Sequence, residues 1–191
     1  MNIDMFHKLF TKQQKIAESL LNICENNNSL VTVLTLHLIC ENFLESYICS
    51  CLEIEDLFSE SPTNKDNVKF RMSFEHKAKL AQRLGMDRNA YEAFERLNQI
   101  RNNFSHRLLN SEIPNEQLKK ITKLINLVKN RKDDITLDSE HVIYRDSDKN
   151  IIFKYEFSSS ETPDSMKLVI AYLSLIRRVA MSTNLLTVNW D

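Results

Sequence analysis

Residues 88–108 read RNAYEAFERLNQIRNNFSHRL. Within this stretch Phe94, Leu97, Arg101, Phe104 and Leu108 step by three, four, three and four residues. That spacing puts all five on one stripe of an α-helix, with Arg101 as its one polar member. Asp87 stands at the N-cap position, so a helix is expected over about 88–108. The same logic extends in both directions. Residues 4–25 carry Phe6, Leu9, Phe10, Ile16, Leu20 and Ile23 on a helical period and read as one opening amphipathic helix. Asn26, Asn27, Asn28 and Ser29 break it and offer caps for a second segment, 30 to about 54. That segment is apolar on most sides and is expected to be central and buried.

Residues 59–69 hold Pro62 and several turn formers and read as an exposed loop. Ser73 caps a short helix to Leu84, closed by Gly85 where a left-handed residue is wanted. Pro114, followed by Glu116, opens another helix that ends near the basic run 129–132. Thr162 and Pro163 start a last helix, to about Ser182. The strand signal is confined to 141–145 and 151–157, which flank the turn formers of 146–150. In the second of these, Ile151, Phe153, Tyr155 and Phe157 alternate with other residues. The expected fold is mainly all-α: an antiparallel up-and-down bundle of five to six helices. It forms one domain over 1–191, with a small β-hairpin inserted near 141–157.

Composition narrows the chemistry. Average usage would give a 191-residue chain about 13 glycines, and this one has a single glycine, Gly85. A dinucleotide fingerprint needs three glycines and a P-loop two, because only a residue without Cβ lets the backbone approach a phosphate. Both are excluded, and no cofactor is expected. The net charge of -1 provides no broad field for polyanions, so any contact with nucleic acid must come from a local patch. Cys40, Cys49 and Cys51 fall on one expected helix and its end, where geometry disfavours bridging, and Cys24 stands apart. Reduced thiols, a cytosolic location and no membrane span are the expectation.

His37 and Cys40, with Cys49 and Cys51 beyond them, have spacings that invite a metal. Zinc sites draw paired ligands from separate elements, so these residues read as core, with no metal ligand among them. Glu92 and Arg96 read as a solvated i, i+4 pair, and 129–132 as a basic helix end. Arg101 has three options on its apolar stripe: to reach solvent along its stem, to pair with an acid such as Glu41 or Glu45, or to serve a site. The same helix carries Glu95, Asn98, Asn102 and His106 on an adjoining polar stripe. Arg101 and His106 are five residues apart and point roughly 140° from one another. Two copies about a two-fold axis can join them where one does not.

The segment Arg101-Asn102-Asn103-Phe104-Ser105-His106 resembles the Arg-x4-His signature of HEPN domains, in which a polar residue often follows the arginine. The run from Ser73-Phe74-Glu75-His76-Lys77-Ala78-Lys79-Leu80-Ala81 through Leu84-Gly85 to Ile100-Arg101-Asn102 resembles, more narrowly, the mannitol operon repressor branch. The likeness is strongest over 73–106. It implies a helical bundle that forms a homodimer with both motifs facing one cleft, a metal-independent endoribonuclease site in active members. Arg101, Asn102 and His106 are then the catalytic candidates. A histidine near neutrality serves as acid or base, an arginine fork matches phosphate oxygens, and Asn102 orients the imidazole one turn away. Arg107 and Leu108 stand where some toxin-type members carry a tyrosine. The resemblance thus implies an RNA-directed effector, nuclease or RNA-binding, in a toxin–antitoxin, stress or defence setting. Its partners are RNA, a second copy, and an antitoxin or regulator protein. The alternative is a non-catalytic, repressor-type interaction module. A purely structural dimerisation bundle is a third, weaker reading. No helix-turn-helix or basic recognition helix is present in the sequence, so direct DNA readout is not expected.

Overall fold

In the computed structural model the described residues are 1–11, 15–26, 28–58, 71–106, 112–128, 135–145 and 148–183. They form seven α-helices and one two-stranded antiparallel sheet, a mainly helical fold with a hairpin insertion. The elements are α1 (Ile3–Thr11), α2 (Lys15–Asn26), α3 (Ser29–Leu52), α4 (Phe74–Arg83), α5 (Arg88–His106) and α6 (Asn115–Leu127). A 3-10 turn (Leu137–Ser139), β1 (His141–Arg145), β2 (Ile151–Glu156) and α7 (Asp164–Ser182) follow. The expected loop over 59–69 and the basic run 129–132 lie outside the described residues.

The cap signals work as their chemistry requires. Asn28 Oδ1 accepts from the Leu30 and Val31 amides at the start of α3, and Ser73 Oγ accepts from His76 N at the start of α4. Asp87 Oδ1 accepts from Asn89 N at 2.7 Å and starts α5. Gly85, at φ +108°, closes α4. Its amide bonds to Gln82 O and the Met86 amide to Ala81 O, the paired bonds of a Schellman motif. In the opening segment residues 12–14 lie outside the described residues, and the parts on either side, α1 and α2, bury different faces. On α1, Phe6 and Phe10 meet Phe43, both with ring centroids 5.7 Å away. On α2, Ile23 joins Met166 and Val169 of α7 in a second cluster.

Helix α3 is the hub. Val33, Leu36, Phe43, Leu44 and Ile48 are fully buried in the main cluster, and α1, α2, α4, α5 and α7 all pack on α3. The Phe43 and Phe94 rings stack at 6.0 Å, linking α3 to α5. Tyr172 of α7 donates its hydroxyl to Ala93 O, so the ring's one polar atom is satisfied inside the core. The hairpin is joined to this core. Val142 and Tyr155 are cross-strand partners, and both pack against the buried clusters.

The last helix, α7, contains a buried cation. Arg178 on α7 is only 2% exposed. Its guanidinium donates to Ser174 Oγ (3.1 Å), to Ile125 O near the end of α6 (3.3 Å) and to Ile135 O (2.5 Å). Glu140 lies 3.8 Å away and also accepts from Arg177. Arg178 therefore ties α7 to the end of α6 and to the segment that leads into the hairpin. Arg178→Met takes the guanidinium donor from Ile135 O, leaves Ile125 O with the Val128 amide alone, and should cost about 3–5 kcal/mol, the range for breaking a buried ionic network. Urea denaturation measures this, and an unchanged midpoint would show that these bonds do not hold the two halves together.

Candidate functional site

Helix α5 presents two faces. Ala90, Ala93, Phe94, Leu97, Ile100 and Phe104 are buried, a broader apolar face than the expected stripe. Leu108 lies outside the described residues. Arg101 sits at the edge of this face, half-buried, and its Nη1 donates to Asn102 Oδ1 at 3.0 Å. Asn102 and Asn103 are exposed. His106 is the last residue of α5, and its side chain lies outside the described residues. Arg101 and Asn102 are thus brought together at the surface near the end of the helix.

The acids offered to Arg101 are held elsewhere. Glu41 and Glu45, one turn apart on α3, both bond Lys77 Nζ of α4, at 2.6 and 2.5 Å. Lys77 is 5% exposed, and its ammonium also lies 5.3 Å from the Phe58 ring centroid. Burial opposes the charged ammonium, but the two carboxylates outweigh it and hold Lys77 above its ordinary value. The expected Glu92–Arg96 pair is replaced as well. Glu92 bonds Arg88 at 3.0 Å, while Arg96 donates to Gln99.

His37, read from sequence as core, is 7% exposed and continues this polar seam. Its Nε2 lies 3.3 Å from Asn98 Oδ1 on the polar stripe of α5, and its ring lies 4.2 Å from that of Phe74. Burial is the largest influence and lowers its proton affinity. The Asn98 bond and the Glu41 carboxylate push the other way, and the Arg101 and Lys77 cations lower it further. His37, Glu41 and Glu45 recur every four residues on α3, so the seam runs along one face of the hub helix. Ionisable residues at helical spacing in an otherwise apolar helix are the sequence signal that marks it.

The thiols are not poised for chemistry. None of the four cysteines forms a disulfide. Burial pushes Cys40 far up and Cys49 up to about 11, so both stay protonated near neutrality. Among the described residues no group of three or more His, Cys, Asp or Glu side chains is placed to hold a metal ion. None of the described helices is long and apolar enough to cross a membrane.

The depressed proton affinity of His37 has a definite thermodynamic sign. Below pH 6.5 the unfolded chain binds a proton at this site that the folded chain resists, so stability falls as the solution is acidified. The thermal midpoint should therefore drop on going below pH 6.5, and the drop should shrink in His37→Gln, which keeps an amide donor for Asn98. An equal drop in the variant would assign the acid sensitivity to other groups. Comparison with protein-family models, with curated proteins and with solved structures finds no match to this chain.

Proposed function

We propose that the chain is an RNA-directed effector of the HEPN kind. It is a metal-independent endoribonuclease whose working site pairs Arg101 of one copy with His106 of another. The observation that supports this reading is the Arg101–Asn102 pair. A half-buried guanidinium, steadied by the neighbouring amide, stands at the surface within two turns of a terminal histidine. A fork held in this way is preorganised for phosphate oxygens, with no rearrangement needed when charge builds on them.

The reaction needs three groups. A base takes the proton from a ribose 2′-hydroxyl, whose oxygen forms a bond to phosphorus as the bond to the 5′-oxygen breaks. An acid protonates that leaving oxygen, and Arg101 neutralises the non-bridging oxygens in the transition state. His106 serves as acid or base. The products are a 2′,3′-cyclic phosphate and a 5′-hydroxyl. On α5 the two side chains leave the helix roughly 140° apart, so a second copy completes the set.

A non-catalytic regulatory module is the second reading, and a separate feature favours it. Val31, Leu34 and Leu38 recur at three and four residues on α3 and are all exposed, Leu38 at 59%. Apolar side chains aligned on an outer helix face suit a protein partner.

Incubating the protein with RNA in EDTA separates the two. Cleavage should persist and leave cyclic phosphate ends. His106→Ala should slow it about 10²–10⁴-fold, and Arg101→Lys, which keeps charge but loses the fork, about 10²–10³-fold. RNA left intact by the wild-type protein sinks the nuclease reading and leaves the regulatory one.

A further inference from the structure

Beside α4 and α5 a groove of about 680 Å³ opens on the surface. Arg71, His76, Lys79 and Arg83 line it, with Tyr91 of α5 opposite. His76, Lys79 and Arg83 recur at three and four residues, so α4 shows them on one face, and all three are exposed, as is Arg71. In a chain of net charge -1 this is a local concentration of positive charge. Two acids stand close to it. Glu75 bonds Lys79. Glu95 has its Oε1 buried without a hydrogen-bond partner among the described residues. Burial first, and then the Glu75 carboxylate, push the Glu95 carboxyl above its ordinary value, against the opposing pull of Lys79.

The groove leads somewhere. Tyr91, Glu95, Asn98 and Asn102 step by four, three and four residues and share one face of α5. That face links the groove to the Arg101–Asn102 pair, half-buried at Tyr91, Glu95 and Asn98 and exposed at Asn102. Eleven residues of helix cover roughly 16 Å.

We propose that this groove seats the phosphodiester backbone of single-stranded RNA and leads the strand to the Arg101 end of α5. This inference rests on the RNA-directed reading above, and adds to it a substrate class and a binding track. Two arginine forks, Arg71 and Arg83, line the groove, and such forks match phosphate oxygens. The half-buried Tyr91 ring offers a base a stacking surface that any sequence can use. Neighbouring packed helices have axes only about 8–10 Å apart, so the groove between them suits one strand better than a duplex.

The test uses the full chain and a labelled, short 2′-O-methyl oligouridylate, which has no 2′-hydroxyl to cleave, read by fluorescence anisotropy. Arg71 and Arg83 are exposed, so Arg71→Ala/Arg83→Ala should keep its circular dichroism spectrum and thermal midpoint. Its dissociation constant should rise at least about tenfold. The slope of log affinity against log salt should flatten by about 1.4, from two lost phosphate contacts at about 0.7 each. Arg71→Lys/Arg83→Lys should keep the slope, because the charges remain. Unchanged affinity and slope in the alanine variant overturn the groove. So does a preference for duplex RNA, or full displacement by inorganic phosphate, which marks a site for the free anion. Binding that depends on the groove, in a wild-type protein that cuts no RNA, ends the nuclease reading and keeps the track. Cleavage unaffected by the alanine variant does the reverse, and a wild-type protein that binds no RNA overturns both.

Discussion

One buried ammonium sets the arrangement of the functional half of the molecule. Helix α3 runs 24 residues and buries side chains on most sides, yet it carries Glu41 and Glu45 where α4 packs. Two carboxylates one turn apart at such a contact are tolerable only if a cation meets both, and Lys77 does so. A buried ion pair of this kind adds little net stability over a hydrophobic contact of the same size. Its effect is to fix the rotation of α4 about its own axis. With Lys77 turned inward, His76, Lys79 and Arg83 lie roughly 130° around the helix and must face outward. The cationic wall of the groove is thus a consequence of where the buried lysine points. Lys77 holds both acids, and Arg101 donates to Asn102 at the surface.

A second buried cation solves a different problem at the other end. The end of α6 and the segment before β1 bring two carbonyls, and α7 a hydroxyl, to one place. Arg178 reaches Ile125 O, Ile135 O and Ser174 Oγ with one planar group, and Glu140 offsets its charge. Burial disfavours the charged guanidinium, and the Glu140 carboxylate restores part of that loss. Lysine has the charge but no fork to span three acceptors. The hairpin follows directly from Glu140 and packs Val142 and Tyr155 onto the clusters under α7 and α2. It lies against the core, which is why its inner strand positions are half-buried.

What the sequence made legible was local. Asn28, Ser73 and Asp87 announced their helices because a side-chain oxygen capping free amides needs no tertiary partner. Gly85 announced a helix end for the same reason. The hairpin was legible from alternation between turn formers. The packing partners of α1 and α2 were not, since their apolar residues keep one helical period, yet one helix meets Phe43 and the other Met166 with Val169. Two left-handed positions were also hidden. In a chain with one glycine, Glu53 and Lys149 adopt φ of 58° and 65°. Such residues carry a penalty of about 1–2 kcal/mol, and at Glu53 the amide bond to Cys49 O that closes α3 offsets it. The ion pairs were misread for a single reason. Helical period fixes which face a residue occupies, but not which neighbouring helix supplies the opposite charge, so Glu41 and Glu45 were offered to Arg101 and belong to Lys77.

The candidate site follows the same division. Its residues were legible because Arg101, an arginine on an apolar stripe, breaks its own pattern, and because Asn98 and Asn102 repeat on the adjoining one. The surroundings that tune them were not, since they come from other helices. His37 reaches Asn98 from α3, and the Arg101 guanidinium lowers its proton affinity. Protonating His37 would add a third positive group beside Lys77 and Arg101 in a space shielded from water, which is why burial and both cations oppose it. A neutral His37 accordingly leaves Arg101 as the cation of the seam that stands at the surface. A chain with net charge -1 has no long-range attraction for a polyanion. On the proposed reading a phosphate would be drawn to Arg101 by short-range charge, and Arg71, Lys79 and Arg83 line the groove that would supply it.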